Sequence, residues 1–404
     1  MNKQQEPRLR FKGFTGAWEE KKLEDIFNTI RNAFVGTATP YYVENGHFYL
    51  ESNNIKNGEI NKNSQIFIND EFYYKQQDKW LKTNDLVMVQ SGHVGHCAVI
   101  PEELNNVAAH ALIMFSNYKS EANPYFLSYQ FQTNSKINEI AKITTGNTIK
   151  HILSSDMKEF VVDFPMVEEQ IQLGNFFRRL DSQIAESRAV LEKSRQLKKA
   201  MLAKMFPANG EKIPKIRFKG FEGEWEEKNF ESVGEFNPKT EIPSIFQYVD
   251  LESVVGTQLI SYREESKETA PSRAQRLAKN GDLFFQAVRP YQKNNYLFEK
   301  NNENFVFSTG YIQIRPQNDG YFLLTLVQKE EFVQEVLLRC TGTSYPAINA
   351  SSLQDIAILT PQTSKEQIAI GNFFRQLDET IALQSAEIEK LNQLKKGLLA
   401  AMLV

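Results

Sequence analysis

The sequence predicts an α+β protein: two similar mixed α/β domains, joined by two long antiparallel coiled-coil helices and related by an internal pseudo-two-fold symmetry. Three observations predict this class. Two segments occur twice, the longer one carries a helical apolar stripe in both copies, and short apolar runs between the repeats are typical of strands. The 404 residues are enough for two or three domains.

The first repeated segment is short and aromatic. PRLRFKGFTGAWEEKKLE (7–24) recurs as PKIRFKGFEGEWEEKNFE (214–231), with 12 of 18 positions identical. We call the stretches 7–26 and 214–233 the entry segments. Their aromatic residues could stack on bases, but a packing cluster at the entry of each domain is the favoured interpretation. These residues are Phe11, Phe14 and Trp18, with their copies Phe218, Phe221 and Trp225.

The second repeat predicts one long helix in each copy. From Glu169 and Glu366 onward, 22 of 38 positions are identical, and apolar residues recur at alternating steps of four and three. Such a helix would be about 57 Å long, with Pro165 and Pro361 before the two starts and Pro207 after the first end. A long amphipathic helix is unstable alone in water, so we expect antiparallel packing on its duplicate. Packing on two separate domains remains the alternative.

The repeats divide the chain into four parts. These are a first domain at 1–164, a central helix at 165–213, a second domain at 214–360 and a C-terminal helix at 361–404. The runs LVMVQ, CAVI, LFFQAV and YIQIR are predicted strands. Tyr125 and Tyr321 each open an amphipathic helix, and a Thr-Gly loop follows each. Equal scaffolds with different surface residues suggest two modules that bind two different targets.

Composition and charge exclude several classes of protein. The net charge is −3, whereas proteins that coat nucleic acid nonspecifically are usually basic. The stretches 27–164 and 234–360 each carry −3, so neither should bind nucleic acid tightly alone. No apolar run approaches about 18 residues, so no membrane span is expected. Two cysteines, Cys97 and Cys340, cannot build a disulfide framework, and with no visible secretory signal they suit a reducing cytoplasm.

Motifs that could carry catalysis are weak. Asn123-Pro-Tyr-Phe resembles the NPPY/F motif of amino-methyltransferases, but one proline is missing and no glycine-rich cofactor loop precedes it. The second copy has Asp319, and an Asn or Asp just before a helix is more simply an N-cap. His93, His96 and Cys97 lack the second ligand cluster of a structural zinc site. We therefore predict no catalytic residue and no metal site.

Polar loops could instead read a DNA sequence, because base edges are recognised by hydrogen-bonding side chains at exposed tips. For any one of these side chains, an ordinary solvated loop remains the alternative. The first domain offers Gln90, Ser91, His93, Thr145, Asn147, Thr148 and Lys150. The second offers Arg273, Arg276, Gln286, Arg289, Tyr291, Lys293, Thr343, Ser344 and Tyr345.

The FKGF-x-G-x-W entry segments, the two variable domains, the TG-[NT]-[TS] loops and the EQ-x(3)-GNFF-R-x-LD…QLKK helices together resemble a type I restriction–modification DNA specificity subunit. The resemblance covers almost the whole chain. It implies a non-catalytic protein whose two target-recognition domains each read one half of a split site in double-stranded DNA. It also implies that the helices set the spacer between the half-sites.

The same resemblance implies partner subunits. Two modification subunits would bind S-adenosylmethionine, and two restriction subunits with motor and nuclease activity would use ATP and Mg²⁺, so that no cofactor is expected on this chain. The modification subunits would dock on the helices. The predicted contacts are Phe176, Phe177, Leu180, Phe373, Phe374 and Leu377.

Two other functions stay open at this point. An autonomous adenine-N6 DNA methyltransferase would bind its cofactor without a partner. A coiled-coil scaffold without DNA readout would tolerate exchange of its variable stretches with no change in the sequence recognised.

Overall fold

The computed structural model describes residues 6–146, 150–301, 304–342 and 344–404. The chain separates into two compact units. The first unit contains Met1–Arg188 and Glu387–Val404, and the second contains Ala189–Ala386. Each unit therefore takes the start of one long helix and the end of the other. No helix within the described ranges is long and apolar enough to cross a membrane.

The first unit begins with the entry segment and ends with a long helix. Its strands are β1 (Glu19–Lys22), β2 (Phe27–Asn32), β3 (Tyr42–Val43), β4 (His47–Leu50), β5 (Ile55–Lys56), β6 (Glu59–Ile60), β7 (Ile66–Ile68), β8 (Leu86–Val89), β9 (Cys97–Val99), β10 (Ala108–Ala109), β11 (Leu112–Tyr118) and β12 (Val161–Phe164). Its helices are α1 (Leu23–Ile26), α2 (Asp70–Lys75), α3 (Pro124–Gln130), α4 (Asn134–Ile143), α5 (Ser154–Glu159) and α6 (Val167–Met205), the last of which continues into the second unit.

The second unit repeats this order. Its strands are β13 (Glu226–Asn229), β14 (Gly234–Phe236), β15 (Ile245–Val249), β16 (Val254–Val255), β17 (Gln258–Leu259), β18 (Arg263–Ser266), β19 (Ala274–Leu277), β20 (Leu283–Gln286), β21 (Tyr296–Leu297), β22 (Phe305–Ser308), β23 (Tyr311–Pro316) and β24 (Ala357–Thr360). Its helices are α7 (Gly320–Val327), α8 (Glu330–Leu338), α9 (Ala350–Gln354) and α10 (Ser364–Met402), the last of which ends in the first unit.

The two units share one sheet plan. The main sheet is antiparallel, with the order β2-β11-β8-β9 in the first unit and β14-β23-β20-β21 in the second. A further four-stranded sheet contains one parallel pair in each unit, β4 with β10 and β15 with β22. The entry strands β1 and β13 pair with β12 and β24. The four predicted strand runs are confirmed as β8, β9, β20 and β23, and the mixed α+β class with them.

Both long helices have the predicted length and begin shortly after Pro165 and Pro361, but α6 ends at Met205 and does not extend to residue 213. Each is 39 residues long, and α6 ends two residues before Pro207. The predicted stripe is the least exposed face: Leu173, Phe177, Leu180 and Ile184 of α6 are all buried. The coiled-coil periodicity therefore identified the packed face correctly.

The helices run antiparallel within each unit, as predicted. In the first unit, Asp181 of α6 forms a 2.6 Å ion pair with Lys395 of α10. Leu173, eight residues before Asp181, shares a core with Met402, seven residues after Lys395. In the second unit, the equivalent lysine of α6 pairs with Asp378 of α10. The Asp of each copy of the LD…QLKK motif is thus neutralised by the Lys of the other copy.

Each entry segment is anchored on the helices by an arginine. Arg10 donates two hydrogen bonds of 2.7 Å to both carboxylate oxygens of Glu169, at the start of α6. Arg217 binds Glu366 of α10 in the same way, at 2.7 and 2.8 Å. Both glutamates are almost completely buried, so these bidentate pairs are shielded from water and strong.

The aromatic residues of the entry segments pack inward. Trp18 and Trp225 are buried, and Phe11 makes an edge contact with Phe176, with ring centroids 5.7 Å apart. Phe218 contacts Phe373 in the same way at 6.1 Å. The predicted packing cluster is therefore confirmed for these four residues.

Candidate nucleic-acid interface

In the first unit, the loop after β8 joins the loop before α5. The amide of Gly92 donates to the carbonyl of Lys150 at 3.1 Å, and the amide of Ile152 donates to the carbonyl of Gln90 at 3.1 Å. We call residues 90–92 and 150–152 the first junction. It fixes two predicted site segments against each other, although about 60 residues of chain separate them.

The second unit builds the same junction. The amide of Ile348 donates to the carbonyl of Ala287 at 3.0 Å, and the amide of Arg289 donates to the carbonyl of Pro346 at 2.8 Å. We call residues 287–289 and 345–348 the second junction. The shared backbone pattern supports the inference from sequence that one scaffold carries different surface residues in its two copies.

The first junction carries a serine–histidine pair. Ser91 Oγ lies 2.6 Å from His151 Nδ1, and the His151 ring is exposed. Thr145 and Lys150, both predicted site residues, are exposed beside it. His151 itself was missed by sequence reasoning, because no local spacing indicates its contact with a residue 60 positions earlier.

His93 and His96 lie in the loop that follows Ser91. Their ring centroids are 6.2 Å apart, and His93 is exposed. Burial lowers the pKa of His96 below its usual value, and the nearby His93 and Lys56 lower it further. Among the residues that the structure describes, no group of three or more potential ligands could hold a metal ion.

The second junction carries an arginine–tyrosine pair. The Arg289 guanidinium lies over the Tyr345 ring, 4.4 Å from its centroid, and Tyr345 and Tyr291 are exposed. Arg289 and Lys293 have left-handed backbone, with φ of 55° and 56°, which non-glycine residues rarely adopt. Such strain is often found where a loop must present a side chain in one direction.

Lys293 is less available for binding DNA than its position in the sequence suggests. Its Nζ forms a 2.7 Å ion pair with Glu330 and a 3.3 Å hydrogen bond to the carbonyl of Gln328. This contact holds the pKa of Glu330 below its usual value. A phosphate that bound Lys293 would therefore have to compete with a carboxylate.

The prediction that Gln286 offers its side chain to DNA is wrong. Its side chain is 1% exposed and so does not lie at an exposed tip. Its Nε2 donates to Gln292 Oε1 at 2.8 Å, and its Oε1 accepts from the amide of Asn294 at 3.1 Å. Because both ends are satisfied inside the loop, Gln286 shapes the loop that presents Arg289 and does not offer its own amide to a ligand.

The predicted site residue Arg273 is connected through the backbone to the second junction. The amide of Thr309 donates to the Arg273 carbonyl at 2.8 Å, and the neighbouring Gly310 carbonyl accepts from Ala287 at 2.9 Å. Arg273 is exposed, whereas Arg276 is half-buried and burial lowers its pKa. Ser344 is exposed beside Tyr345. Asn147, Thr148 and Thr343 lie outside the described residues.

Asn123 is a helix cap, as the sequence favoured. Its Oδ1 accepts the amide of Phe126 at 3.0 Å, and Asp319 caps the equivalent helix through the amide of Phe322 at 2.6 Å. A Cβ at Gly174 would collide with the Asn123 oxygen. The Asn123 side chain is thus half-buried and its oxygen serves the helix cap, so the cap accounts for this residue without a catalytic role.

The predicted partner-binding residues fall into two groups. Phe177 and Phe374 are fully buried in the cores of their own units, which corrects the expectation that they contact a partner. Phe176 and Phe373 are half-buried under the entry segments, Leu180 is buried and Leu377 is half-buried.

Other apolar helix residues remain open to solvent at matching positions of the two copies. These pairs are Ile171 with Ile368, 43% and 45% exposed, and Leu197 with Leu394, 46% and 51% exposed. Sequence reasoning missed them because they lie off the coiled-coil stripe.

Comparison with known proteins gives consistent matches. A family model described as the type I restriction modification DNA specificity domain matches residues 16–193 and 222–393. The MjaVIII type I restriction enzyme specificity subunit of Methanocaldococcus jannaschii is 20% identical, over 96% of this chain and 92% of that protein. The putative MjaX specificity subunit of the same organism is 22% identical, also over 96% and 92%.

Solved structures share the fold. A type I restriction–modification S subunit from M. genitalium has a TM-score of 0.67 at 16% identity, with 99% of both chains covered. A chain from a structural study of complex assembly in a type I restriction–modification system has a TM-score of 0.52, with 95% of this chain and 96% of that chain covered.

The family model matches most of the chain, once in each half. This match confirms the predicted resemblance, and with it the prediction of a DNA specificity subunit that is not itself an enzyme. The chain belongs to the family of type I restriction modification DNA specificity proteins.

Proposed function

We propose that each unit reads one half of a bipartite site in double-stranded DNA, and that its junction supplies the base contacts. The observation that carries this proposal is the repetition of one backbone junction with different chemistry. The first junction presents Ser91 and His151, and the second presents Arg289 and Tyr345. An identical scaffold with different donors and acceptors would select different bases at the two half-sites.

The side chains suit that task. Arginine can bond the O6 and N7 acceptors of guanine, and serine and histidine can bond acceptors on base edges. The net charge of −3 in each variable stretch favours weak binding by either unit alone, because phosphate neutralisation supplies much of the affinity for DNA. A positively charged surface on partner subunits would complete the binding channel.

The long helices would set the length of the spacer between the two half-sites and would provide the surface on which the partner subunits dock. As a specificity subunit, the chain would act inside a restriction–modification complex. Its two-fold repetition favours two modification subunits and two restriction subunits. The exposed pairs Ile171 with Ile368 and Leu197 with Leu394 offer equivalent apolar contacts for two copies of one partner. S-adenosylmethionine would bind the modification subunits, and ATP and Mg²⁺ the restriction subunits.

An autonomous methyltransferase is the weaker proposal. The side chain that would hold the target amino group, Asn123, already caps a helix and packs against Gly174. The chain supplied with S-adenosylmethionine and DNA, but with no partner, should therefore transfer no methyl group. Sequence-dependent transfer by the chain alone would contradict the proposal.

The main test is exchange of one variable stretch. Residues 27–164 are replaced by the equivalent stretch of a related chain, the complex is assembled with its modification subunits, and methylated sites are sequenced. One half of the methylated motif should change while the other half and the spacer stay the same. Exchange of 234–360 is the matched control and should change only the other half. A change in both halves, or in neither, would overturn the proposal.

A further inference from the structure

His151 has one ring nitrogen bound and the other open. Nδ1 lies 2.6 Å from Ser91 Oγ. Within the described residues, Nε2 makes no hydrogen bond, and the ring is exposed. The imidazole is therefore anchored at one side and free to bind at the other.

The backbone fixes the position of this ring. The amide of His151 donates to the carbonyl of Thr145 at 2.8 Å, and the amide of Thr145 donates back to the carbonyl of His151 at 2.8 Å. The next amide, of Ile152, is bound to Gln90. These bonds fix the Cα–Cβ direction, and the contact of Nδ1 with Ser91 Oγ restricts the ring torsions, so that Nε2 is presented in one direction.

The second junction shows that the fold does not need this pair. Val288 and Ala347 occupy the positions of Ser91 and His151, as the paired bridges of the two junctions establish. Ala347 exchanges the same two hydrogen bonds with Thr341, at 2.9 and 3.0 Å. Because a valine and an alanine support the same geometry, the Ser91–His151 pair is not explained by the stability of the junction.

We infer that His151 is a specificity-determining residue that reads the N7 edge of a purine in the half-site bound by the first unit, and that Ser91 orients it. This contact requires that the Ser91 hydroxyl donate to Nδ1, so that the ring carries its proton on Nε2. The Nε2–H then donates to the purine acceptor in the major groove. This inference rests on the proposed function, in which the first junction meets DNA.

The experiment compares His151→Ala with the parent in the complex with modification subunits and S-adenosylmethionine. Methylation is measured over a library of sites in which every position of both half-sites is varied. His151→Ala should lower the preference for a purine at one position of the first half-site by about tenfold. The second half-site should be unchanged. Ser91→Val, which copies the second junction, should lower the same preference less, because the ring remains but loses its orienting bond.

Two controls keep the result interpretable. Amide hydrogen exchange at Thr145 and His151 should match the parent in both variants, because Ala347 supports the same backbone. Arg289→Ala should change the second half-site only.

Two outcomes would overturn the inference: an unchanged preference at every position, or an equal loss of methylation on all sequences, which indicates a phosphate contact. If exchange of 27–164 alters the first half-site while His151→Ala does not, this inference fails and the proposed function stands. If that exchange also leaves the motif unchanged, the proposed function fails.

Discussion

The two units carry side chains of opposite polarity at three equivalent positions. In the first unit, Lys136 of α4 is fully buried, with its Nζ 3.0 Å from Asp163 of β12 and 3.3 Å from Glu139. The side chain of Gln130 accepts the amide of Asp163 at 3.2 Å and donates to the carbonyl of the same residue. The space between α3, α4 and β12 is thus filled by a hydrogen-bonded polar cluster.

The second unit carries apolar side chains at the equivalent positions, where they line a pocket of about 650 Å³. Leu326, Phe332 and Leu359 occupy the same positions in α7, α8 and β24, counted from the start of each element. Leu326 and Phe332 are buried in the core of the second unit, and the half-buried Leu359 packs against that core. The backbone plan therefore tolerates either solution, and the buried ion pair is not a requirement of the fold. Its desolvation costs several kcal/mol per ion, which good geometry must offset.

Loss of one partner of the buried Lys136–Asp163 ion pair should lower the free energy of unfolding more than the other substitutions do. Lys136→Met leaves Asp163 charged and buried, which typically costs about 3–5 kcal/mol of unfolding free energy. Denaturant unfolding of the full chain measures the loss, and amide hydrogen exchange should rise in α4 and β12 but not in α8 and β24. The matched control, Phe332→Met, should cost less than about 1.5 kcal/mol. Equal costs for the two variants would show that the ion pair is immaterial.

Replacement of the polar cluster of the first unit by the apolar residues of the second should restore most of the unfolding free energy that Lys136→Met loses. Gln130→Leu, Lys136→Phe and Asp163→Leu together copy the second unit. Replacement of a buried ion pair by well-packed apolar residues is often neutral or stabilising by about 1–4 kcal/mol. The triple variant should unfold at or above the denaturant midpoint of the parent. If it were as unstable as Lys136→Met, the two cores would not be interchangeable.

Two leucines of α6 separate the packed face of the helix from a docking face. Leu180 is buried, so Leu180→Asp should destabilise the chain by several kcal/mol and prevent assembly. Leu197 is 46% exposed, so Leu197→Asp should leave the denaturant midpoint within about 0.5 kcal/mol of the parent while weakening co-purification with the modification subunit. If Leu197→Asp left co-purification undiminished, Leu197 would not belong to the surface that binds the modification subunit.

A small pH effect should be confined to the first unit, which contains all five histidines. The hydrogen bond to Glu51 raises the pKa of His110, and the same contact lowers that of Glu51. The stabilisation from His110 is complete below its unfolded pKa, about 6.5, and is lost as pH rises through its folded pKa. The stability difference between the parent and His110→Gln should therefore shrink, by less than about 1 kcal/mol, between pH 6 and pH 8. A difference that grew with pH would contradict the assigned contact.

The sequence predicted the fold well where the signal is repeated or periodic. Duplication indicated two equal units, and the apolar stripe identified Leu173, Phe177 and Leu180 as the packed face of α6. Periodicity cannot say whether a buried residue packs on its own unit or on a partner, which is why Phe177 and Phe374 were misassigned. The long-range pairing of Ser91 with His151 is invisible to any local pattern. Gln286 was misjudged because strand and loop meet at that residue, and the hydrogen bonds that bury it come from Gln292 and Asn294.

The central claim is that one scaffold occurs twice and each copy reads its own half-site. The most direct test replaces residues 234–360 by a second copy of 27–164, with both long helices and both entry segments retained. Sites methylated by the complex of this chain with its modification subunits are then sequenced. Because α6 and α10 run antiparallel within each unit, the account predicts that the two copies face the DNA in opposite directions and recognise an inverted repeat, in which both halves match the first half-site of the parent. A motif that keeps the second half-site of the parent, or that lacks two-fold symmetry, would contradict the account.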